Sequence, residues 1–362
     1  MITWGPTARR STTANFSIQL NTKQLNMRAR QSIVGTVPEA YPELLHYTSL
    51  AGLVGILDSQ SIRATHTAFL NDSSEILLFF EHRLEKVLEA GIRAALAADP
   101  ELQVLPQYAK TPQDAENVIL RYAKEMGDAI RTATLRFNKP YIACFSAPAN
   151  DRVRNDGLLS QWRGYGSDGG YALVFDSKKL EELLKIESTV YWYQYVQWGD
   201  VHYYQGDSDV VDAEPEIHLA EHAIGLAIGK YIKNSMNTDL GAIFDPVTTL
   251  SCFYKHWGFH EEREVRIVVV PLTAELVGEG RAEGELRPLR QQEFIARRGT
   301  PVPYHDLFAA GSTGTLARLP IIRVIVGPHP HSHIRQLAVE EILRTKEINA
   351  KVVVSNIPYI GA

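Results

Sequence analysis

The strongest hydrophobic pattern in the chain is a Val/Ile run opened by charge, Glu262-Arg263-Glu264-Val265-Arg266-Ile267-Val268-Val269-Val270. An apolar, β-branched run of this length predicts a buried strand entered at its charged end. Side chains alternate across a strand, so Glu262, Glu264 and Arg266 are expected on one face. Shorter apolar runs predict further strands near 44–48, 141–146, 171–175, 190–204 and 321–326, and a last one near 351–355. The aromatic stretch within 190–204 reads as a hairpin paired on the sheet. Apolar residues at helical spacing predict helices at about 50–58, 73–97, 113–137, 219–236 and 332–345. Helices and strands segregate along the chain, which predicts an α+β fold: a single domain over 39–362, its mixed, mostly antiparallel sheet covered by helices.

Punctuation refines this outline. Ser49 is placed to N-cap the helix that carries Leu50, Leu53, Val54, Ile56 and Leu57 towards a core. Asp72 and Glu75 have the form of a capping box at the head of a long helix running to about Ala98. Residues Pro148 to Asn155 read as a polar loop, and Leu159 to Gly166 as a short helical turn with its aromatics on one side. Asp168-Gly169-Gly170 predicts a tight turn into the strand that starts at Tyr171. Gly327-Pro328 ends a strand and Ser332 is placed to cap the last helix, while Glu279 to Arg298 and Gly311 to Gly314 read as surface insertions.

The first 38 residues hold five cations and no acid, a composition that resembles a transit peptide and predicts a flexible basic arm, with Met27 an alternative start. Over the full 362 residues the net charge is −5, so no overall basic field argues for a nucleic-acid or membrane partner. Cys144 and Cys252 are the only cysteines, too few for a disulfide framework, and a reduced cytoplasmic setting is expected. The basic cluster Arg281, Arg287, Arg290, Arg297 and Arg298 suits either a solvated face or an acidic partner.

Several patterns carry candidate chemistry. Two carboxylates two residues apart, Glu262 and Glu264, repel unless a cation or hydroxyl sits between them; such a pair is either an acid/base site or an ion pair with Arg266 on an edge strand. His46 ends a strand and is followed by hydroxyls, so its ring either donates to a ribose or phosphate or sits satisfied in the core. Trp162, Tyr165 and Tyr171 flank a glycine turn and suit either ring stacking or packing on the sheet. His218 to His222 matches the H-x-x-E-H zinc pattern formally, and His329, His331 and His333 alternate in a predicted turn; no metal site is expected from either. A P-loop and a G-x-G-x-x-G fingerprint are both missing, which argues against a Rossmann dinucleotide site.

Taken in order, these blocks carry a resemblance. They are His46-Tyr47-Thr48-Ser49, Leu70-Asn71-Asp72-x-x-Glu75, Cys144-Phe145-Ser146, Gln161-Trp162-x-x-Tyr165 with Gly170-Tyr171, Glu262-x-Glu264-x-Arg266, and Ser355-x-x-Pro358-Tyr359. Over about 40–360 the chain resembles the bacterial and phage domain-of-unknown-function family twenty-nine seventy-one. More distantly, it is similar to ADP-ribosyltransferases, including toxins that modify DNA. That resemblance implies an ADP-ribosyltransferase-like core with NAD⁺ as substrate, no metal, and a protein, a nucleic acid or water as acceptor; a toxin or phage-defence role would follow. It implies that His46 and Thr48 hold the NAD⁺ ribose, and that Asn71, Phe145, Ser146, Trp162, Tyr165 and Tyr171 line the pocket. Glu264 would bind the 2′-hydroxyl of the nicotinamide ribose, Glu262 would deprotonate the acceptor, and Arg266 would orient Glu264. Arginine-modifying transferases carry arginine where this chain has His46, which leaves the acceptor open. The competing reading is a non-catalytic regulatory protein that binds a nucleotide or peptide in the same pocket.

Overall fold

In a computed structural model of the chain, the described residues are 2–3, 19–20, 30–33, 37–70, 74–98, 111–137, 139–165, 169–204, 215–233, 241–272, 287–297, 299–309 and 318–358. In chain order the first elements are β1 (Ile2–Thr3), β2 (Gln19–Leu20), β3 (Arg30–Ile33), α1 (Val37–Ala40), β4 (Glu43–Thr48), α2 (Leu50–Ser59) and β5 (Ile62–His66). Then come α3 (Ser74–His82), α4 (Leu84–Ala98), α5 (Pro112–Phe137), β6 (Tyr141–Ser146), α6 (Asp151–Asp156), α7 (Leu159–Tyr165), β7 (Tyr171–Asp176) and α8 (Ser177–Val190). They are followed by β8 (Tyr193–Asp200), β9 (His202–Tyr204), α9 (Pro215–Lys233), α10 (Gly241–Phe253), β10 (Tyr254–His256) and β11 (Glu264–Pro271). The chain ends with β12 (Glu293–Arg297), β13 (Thr300–Leu307), β14 (Ile321–Val326), α11 (Ser332–Thr345) and β15 (Lys351–Val354).

These elements make an α+β fold around one 11-stranded sheet that is mostly antiparallel, with parallel pairs only at β14–β15 and β3–β8. Its organising strand is β6. One edge of β6 pairs with β11 along its whole length, from Glu264↔Ser146 to Val269↔Tyr141. The other edge is shared: β4 holds it only at Leu45↔Ser146, and β5 only at Thr65↔Ile142 and His66↔Tyr141. From there β4 leads on to β7, β14 and β15, while β5 leads to β13 and β12. The sheet therefore splays at β6.

Both faces are covered, which is why β11 is buried at every position and its Val/Ile run is unbroken. On one face, Phe145, Leu173, Phe175 and Ile267 pack with Leu53 and Leu57 of α2, Leu180 and Leu184 of α8, and Leu343 of α11. On the other, Ile142, Val268 and Val270 meet Cys252 and Phe253 of α10, and Leu45 and Tyr47 meet Trp162 of α7. Helices α3, α4, α5, α9 and α10 form a bundle with its own apolar core. At the α4–α9 crossing a Cβ on Gly91 would stand 2.9 Å from the Gly225 Cα, so glycine is required for that approach.

Several expectations need correction. The single helix expected from about 73 to 97 is two, meeting at Arg83, whose guanidinium takes Glu221 of α9 at 2.7 and 3.0 Å. Asn71, Asp72 and Ser73 lie outside the described residues, and so does the proposed capping box. The polar loop after β6 contains α6, N-capped by Asn150. The expected hairpin at 190–204 does not form, because β8 pairs with β11 while β9 runs parallel to β10. Helices α8 and α10 and the β12–β13 hairpin were not anticipated; α8 starts at an Asp176 N-cap. Ser49 does cap α2, but Leu50 is exposed. His331, not Ser332, sits at the cap position of α11 and makes no side-chain cap bond.

The basic cluster near 290 is not a solvated face at Arg290. That guanidinium lies 2.8 Å from the fully buried Glu187 and 3.9 Å over the Tyr191 ring. Glu187 also accepts from Tyr193 Oη at 2.6 Å and from Phe308 N at 3.1 Å, tying α8, β8 and the end of β13 together. Removing one member of a buried, hydrogen-bonded ion pair strands the other, a cost of about 3–5 kcal/mol. Arg290→Ala is therefore expected to lose that much stability in urea unfolding, and a loss below about 1 kcal/mol would show that the pair is not a structural anchor.

Candidate functional site

The splay in the sheet creates a local hydrogen-bonding problem that a side chain solves. If β4 continued antiparallel beside β6, Tyr47 would come opposite Cys144, but the pairing stops at Leu45↔Ser146. The Cys144 carbonyl instead takes the His46 ring, with Nδ1 at 2.9 Å. A carbonyl only accepts, so Nδ1 carries the proton and Nε2 is left as an acceptor. Burial lowers the His46 pKa, partly offset by this bond, and keeps the ring neutral. The expectation that His46 donates to a ligand is corrected: its remaining nitrogen accepts.

The acid pair lies at the start of the next strand over. β11 is a central strand, not an edge, and Glu264 is buried at its start. Glu262 is not on the strand. It ends a 3₁₀ turn over Trp257–Glu262, and Arg263 follows in the left-handed region at φ 42°, so alternation from Glu264 back to Glu262 fails. The two carboxylates nevertheless converge on one cation. Lys255 Nζ lies 2.6 Å from Glu262 and 2.8 Å from Glu264. Arg266 grips Glu264 with two bonds, Nε to Oε1 at 2.8 Å and Nη2 to Oε2 at 3.0 Å, and donates from Nη1 to the Cys252 carbonyl at 2.6 Å. Burial alone would raise the Glu264 pKa, but Arg266 and then Lys255 outweigh it and hold the carboxyl at about 2. The Cys144 thiol lies on the same face, and burial and the Glu264 charge push it well above the ordinary thiol range. Tyr203 Oη accepts the Glu264 backbone N–H at 2.8 Å.

The other expected residues divide between the two faces of the sheet. Paired residues point the same way, so Leu45, Ser146 and Glu264 share a face, with Cys144 and Arg266 on it as well. His46, Thr48 and Tyr171 point to the opposite face, as does Phe145, whose ring centroid is 5.7 Å from that of His46. Ser146 Oγ donates to the Glu262 carbonyl at 2.7 Å, which joins β6 to the acid pair. Tyr165 is 43% exposed, and its phenol pKa is raised by the burial of its hydroxyl end and then by the charges of Cys144, Glu264 and Glu262. Thr48 is half-buried where β4 meets α2.

Two aromatic candidates are not available for stacking. Trp162 is buried edge-on against Tyr47 and donates from Nε1 to the Asp156 carbonyl at 3.0 Å. Tyr171 is buried under the Arg335 guanidinium, 4.5 Å above its ring, and bonds Nε at 3.0 Å. Asn71 lies outside the described residues. In the formal zinc pattern His218 and His222 are exposed and Glu221 is spent on Arg83, and among the described residues no cluster of metal-ligating side chains occurs. No described helix is long and apolar enough to cross a membrane.

Sequence reasoning missed Lys255, Tyr203 and Cys144 as members of the site. Lys255 stands seven and nine residues from the two acids, a spacing with no local motif, because β10 and the 3₁₀ turn fold it back. Fold and site together define an α+β protein with a lysine-bridged carboxylate pair beside a break in its sheet. Residues 161–267 match the family model described as "Protein of unknown function (DUF2971)", which supports membership of the chain in that family. The matched stretch includes Trp162, Tyr165, Tyr171, Glu262, Glu264 and Arg266, and stops short of His46 and Ser146. Comparison with curated proteins and with solved structures found no match.

Because the Glu264 pKa is depressed from its ordinary 4.5 to about 2, its ion pairs add stability that is complete above pH 4.5 and lost as pH falls towards 2. Replacing Lys255 by Met removes one of the two cations responsible. The Glu264 carboxyl, followed by ¹³C NMR, is then expected to titrate at higher pH than in the wild type. An unchanged titration would show that Arg266 alone sets it.

Proposed function

We propose that the chain is an NAD⁺-consuming enzyme with an ADP-ribosyltransferase-like core, acting as an ADP-ribosyltransferase or an NAD⁺ glycohydrolase. The observation that carries this reading is the acid pair, a permanently ionised carboxylate beside a more exposed one; a neutral histidine with a bare acceptor nitrogen stands at the nearby break in the sheet, on the opposite face. Breaking the glycosidic C–N bond of NAD⁺ sends its electron pair out with nicotinamide and leaves an oxocarbenium-like ribosyl centre. A fixed anion in a water-poor site stabilises that charge as it develops.

In this reading His46 Nε2 accepts from a ribose hydroxyl and Glu264 accepts from the 2′-hydroxyl of the nicotinamide ribose. Three hydrogen bonds already reach the Glu264 carboxylate, two from Arg266 and one from Lys255. A carboxylate has about four acceptor sites, and a substrate hydroxyl takes the one these bonds leave. Glu262, half-buried at the rim, takes the proton of the attacking nucleophile. Tyr165 supplies an exposed ring at the mouth of the site. The nucleophile is water, a protein side chain or a nucleic acid, and a toxin or phage-defence role is consistent with such chemistry.

The engagement of Glu264 by Arg266 and Lys255 favours a second reading, in which the pair is structural and the protein binds a nucleotide or peptide without turnover. Calorimetric titration of NAD⁺ into Glu264→Gln protein separates the two without requiring the acceptor. The enzyme reading expects saturable binding, weakened at least about tenfold (roughly 1.4 kcal/mol) when His46→Ala is added to a protein that still unfolds cooperatively. No binding at millimolar NAD⁺ by the folded protein would leave the binding-module reading in place.

A further inference from the structure

The β12–β13 hairpin ends one arm of the sheet, and its two edges are built differently. Among the described residues no strand borders the outer side of β12. The hairpin closes through Arg297↔Thr300 across the two positions 298 and 299, with Gly299 at φ 78°. The closing pair of a two-residue hairpin is the hydrogen-bonded one, so residues 297, 295 and 293 direct their backbone groups to β13. Phe294 and Ala296 then direct theirs outward. By the same phase, Pro301 and Pro303 of β13 face their ring nitrogens away from β12, at positions where β5, paired only with Tyr304 to Leu307, does not reach. Proline blocks that stretch of edge against pairing. The outer edge of β12 has neither proline nor lysine, and it exposes Phe294 at 61%.

The same five residues, Glu293-Phe294-Ile295-Ala296-Arg297, are self-complementary in antiparallel pairing. A two-fold axis at Ile295 sets Glu293 opposite Arg297 of the second copy, twice, and sets Phe294 opposite Ala296, twice. The outward-facing backbone groups of residues 294 and 296 are then the ones that bond across the axis. Each opposite-charge pair falls at a non-hydrogen-bonded position, where side chains come closest, each aromatic stands directly opposite a small residue, and the two Phe294 rings become diagonal neighbours. No ion pair engages Glu293 among the described residues; Arg297 uses one guanidinium nitrogen on the Phe69 carbonyl at 3.3 Å and keeps its other donors.

We propose that the outer edge of β12 is the docking surface for a second copy of this chain, joined antiparallel about Ile295 into a two-fold dimer. One strand pair buries less than the roughly 1,200 Å² of stable complexes, so the dimer forms reversibly with concentration. The closed symmetry uses up both edges and limits assembly to two copies.

Sedimentation velocity over a concentration series tests this with the full chain. The wild type is expected to rise from 40.5 kDa towards twice that mass. Ala296→Pro removes an outward N–H and leaves every hairpin bond in place, so it is expected to stay monomeric with an unchanged unfolding midpoint. Glu293→Arg and Arg297→Glu each set like charges across the axis and are expected to stay monomeric alone. Mixed together they set opposite charges across it and are expected to restore the dimer. A wild type that stays at 40.5 kDa throughout the series overturns the proposal. So does a dimer that survives Ala296→Pro, or a mixture of the two charge variants that fails to associate while the wild type does.

Discussion

Where a sheet splits, a backbone carbonyl that faced a neighbouring strand has to find another donor, because a buried polar group left unpaired costs as much as a lost hydrogen bond. At β6 that carbonyl belongs to Cys144, and His46 supplies the donor. The consequences spread from this single bond. It lets β4 and β5 share one edge of β6, so that two arms of the sheet diverge from a common strand. It also fixes the tautomer of His46 and hence what the ring can offer a ligand. One face of the split is backed by α2, α8 and α11, and the other by α7 and α10, so the break is held open between two packed layers.

Charge burial is the second organising constraint. Of the three buried glutamates among the described residues, Glu181 is paired with Lys185, whereas Glu187 and Glu264 are each answered by a guanidinium, from a distant part of the chain and from its own strand respectively. The Glu187 cluster joins strand ends and has the character of a structural lock. The Glu264 cluster differs, because it continues through Lys255 to the more exposed Glu262 and stands beside the exposed Tyr165. Arg266 also bonds the Cys252 carbonyl near the end of α10, so the helical bundle and the acid pair are mechanically joined. Positions with that continuity from buried anchor to accessible group are where chemistry is expected.

Much of the sheet was legible because its strands are short, apolar and bounded by Gly, Pro or Asn. The spans at 141–146 and 321–326 are as their composition predicts. Helix α8 was not legible, although Leu180, Leu183, Leu184 and Glu187 lie on its buried face, because the strand before it and the aromatic run after it dominated the pattern. Pro246 within α10 disguised that helix, and charge and proline disguised the β12–β13 hairpin. At the site, Glu264 and Arg266 follow strand alternation, whereas Glu262 escapes it because Arg263 turns the backbone left-handed just before the strand. For Trp162 and Tyr171 the choice between stacking and packing stayed open for a simpler reason: an aromatic beside a glycine turn looks the same in sequence whether it faces solvent or the core. Lys255 could be found only in three dimensions.

The central claim, that the break beside β6 receives NAD⁺ through His46 and the acid pair, is tested most directly at the imidazole itself. In protein with ¹⁵N-labelled histidine, the His46 ring is expected to show protonated Nδ1 and bare Nε2 near neutral pH. Titration with NAD⁺ is expected to shift Nε2 saturably as it accepts a ribose hydroxyl, with Nδ1 still bonded to Cys144. A ring whose Nε2 resonance stays fixed at millimolar NAD⁺, or that carries its proton on Nε2 from the outset, would contradict the account.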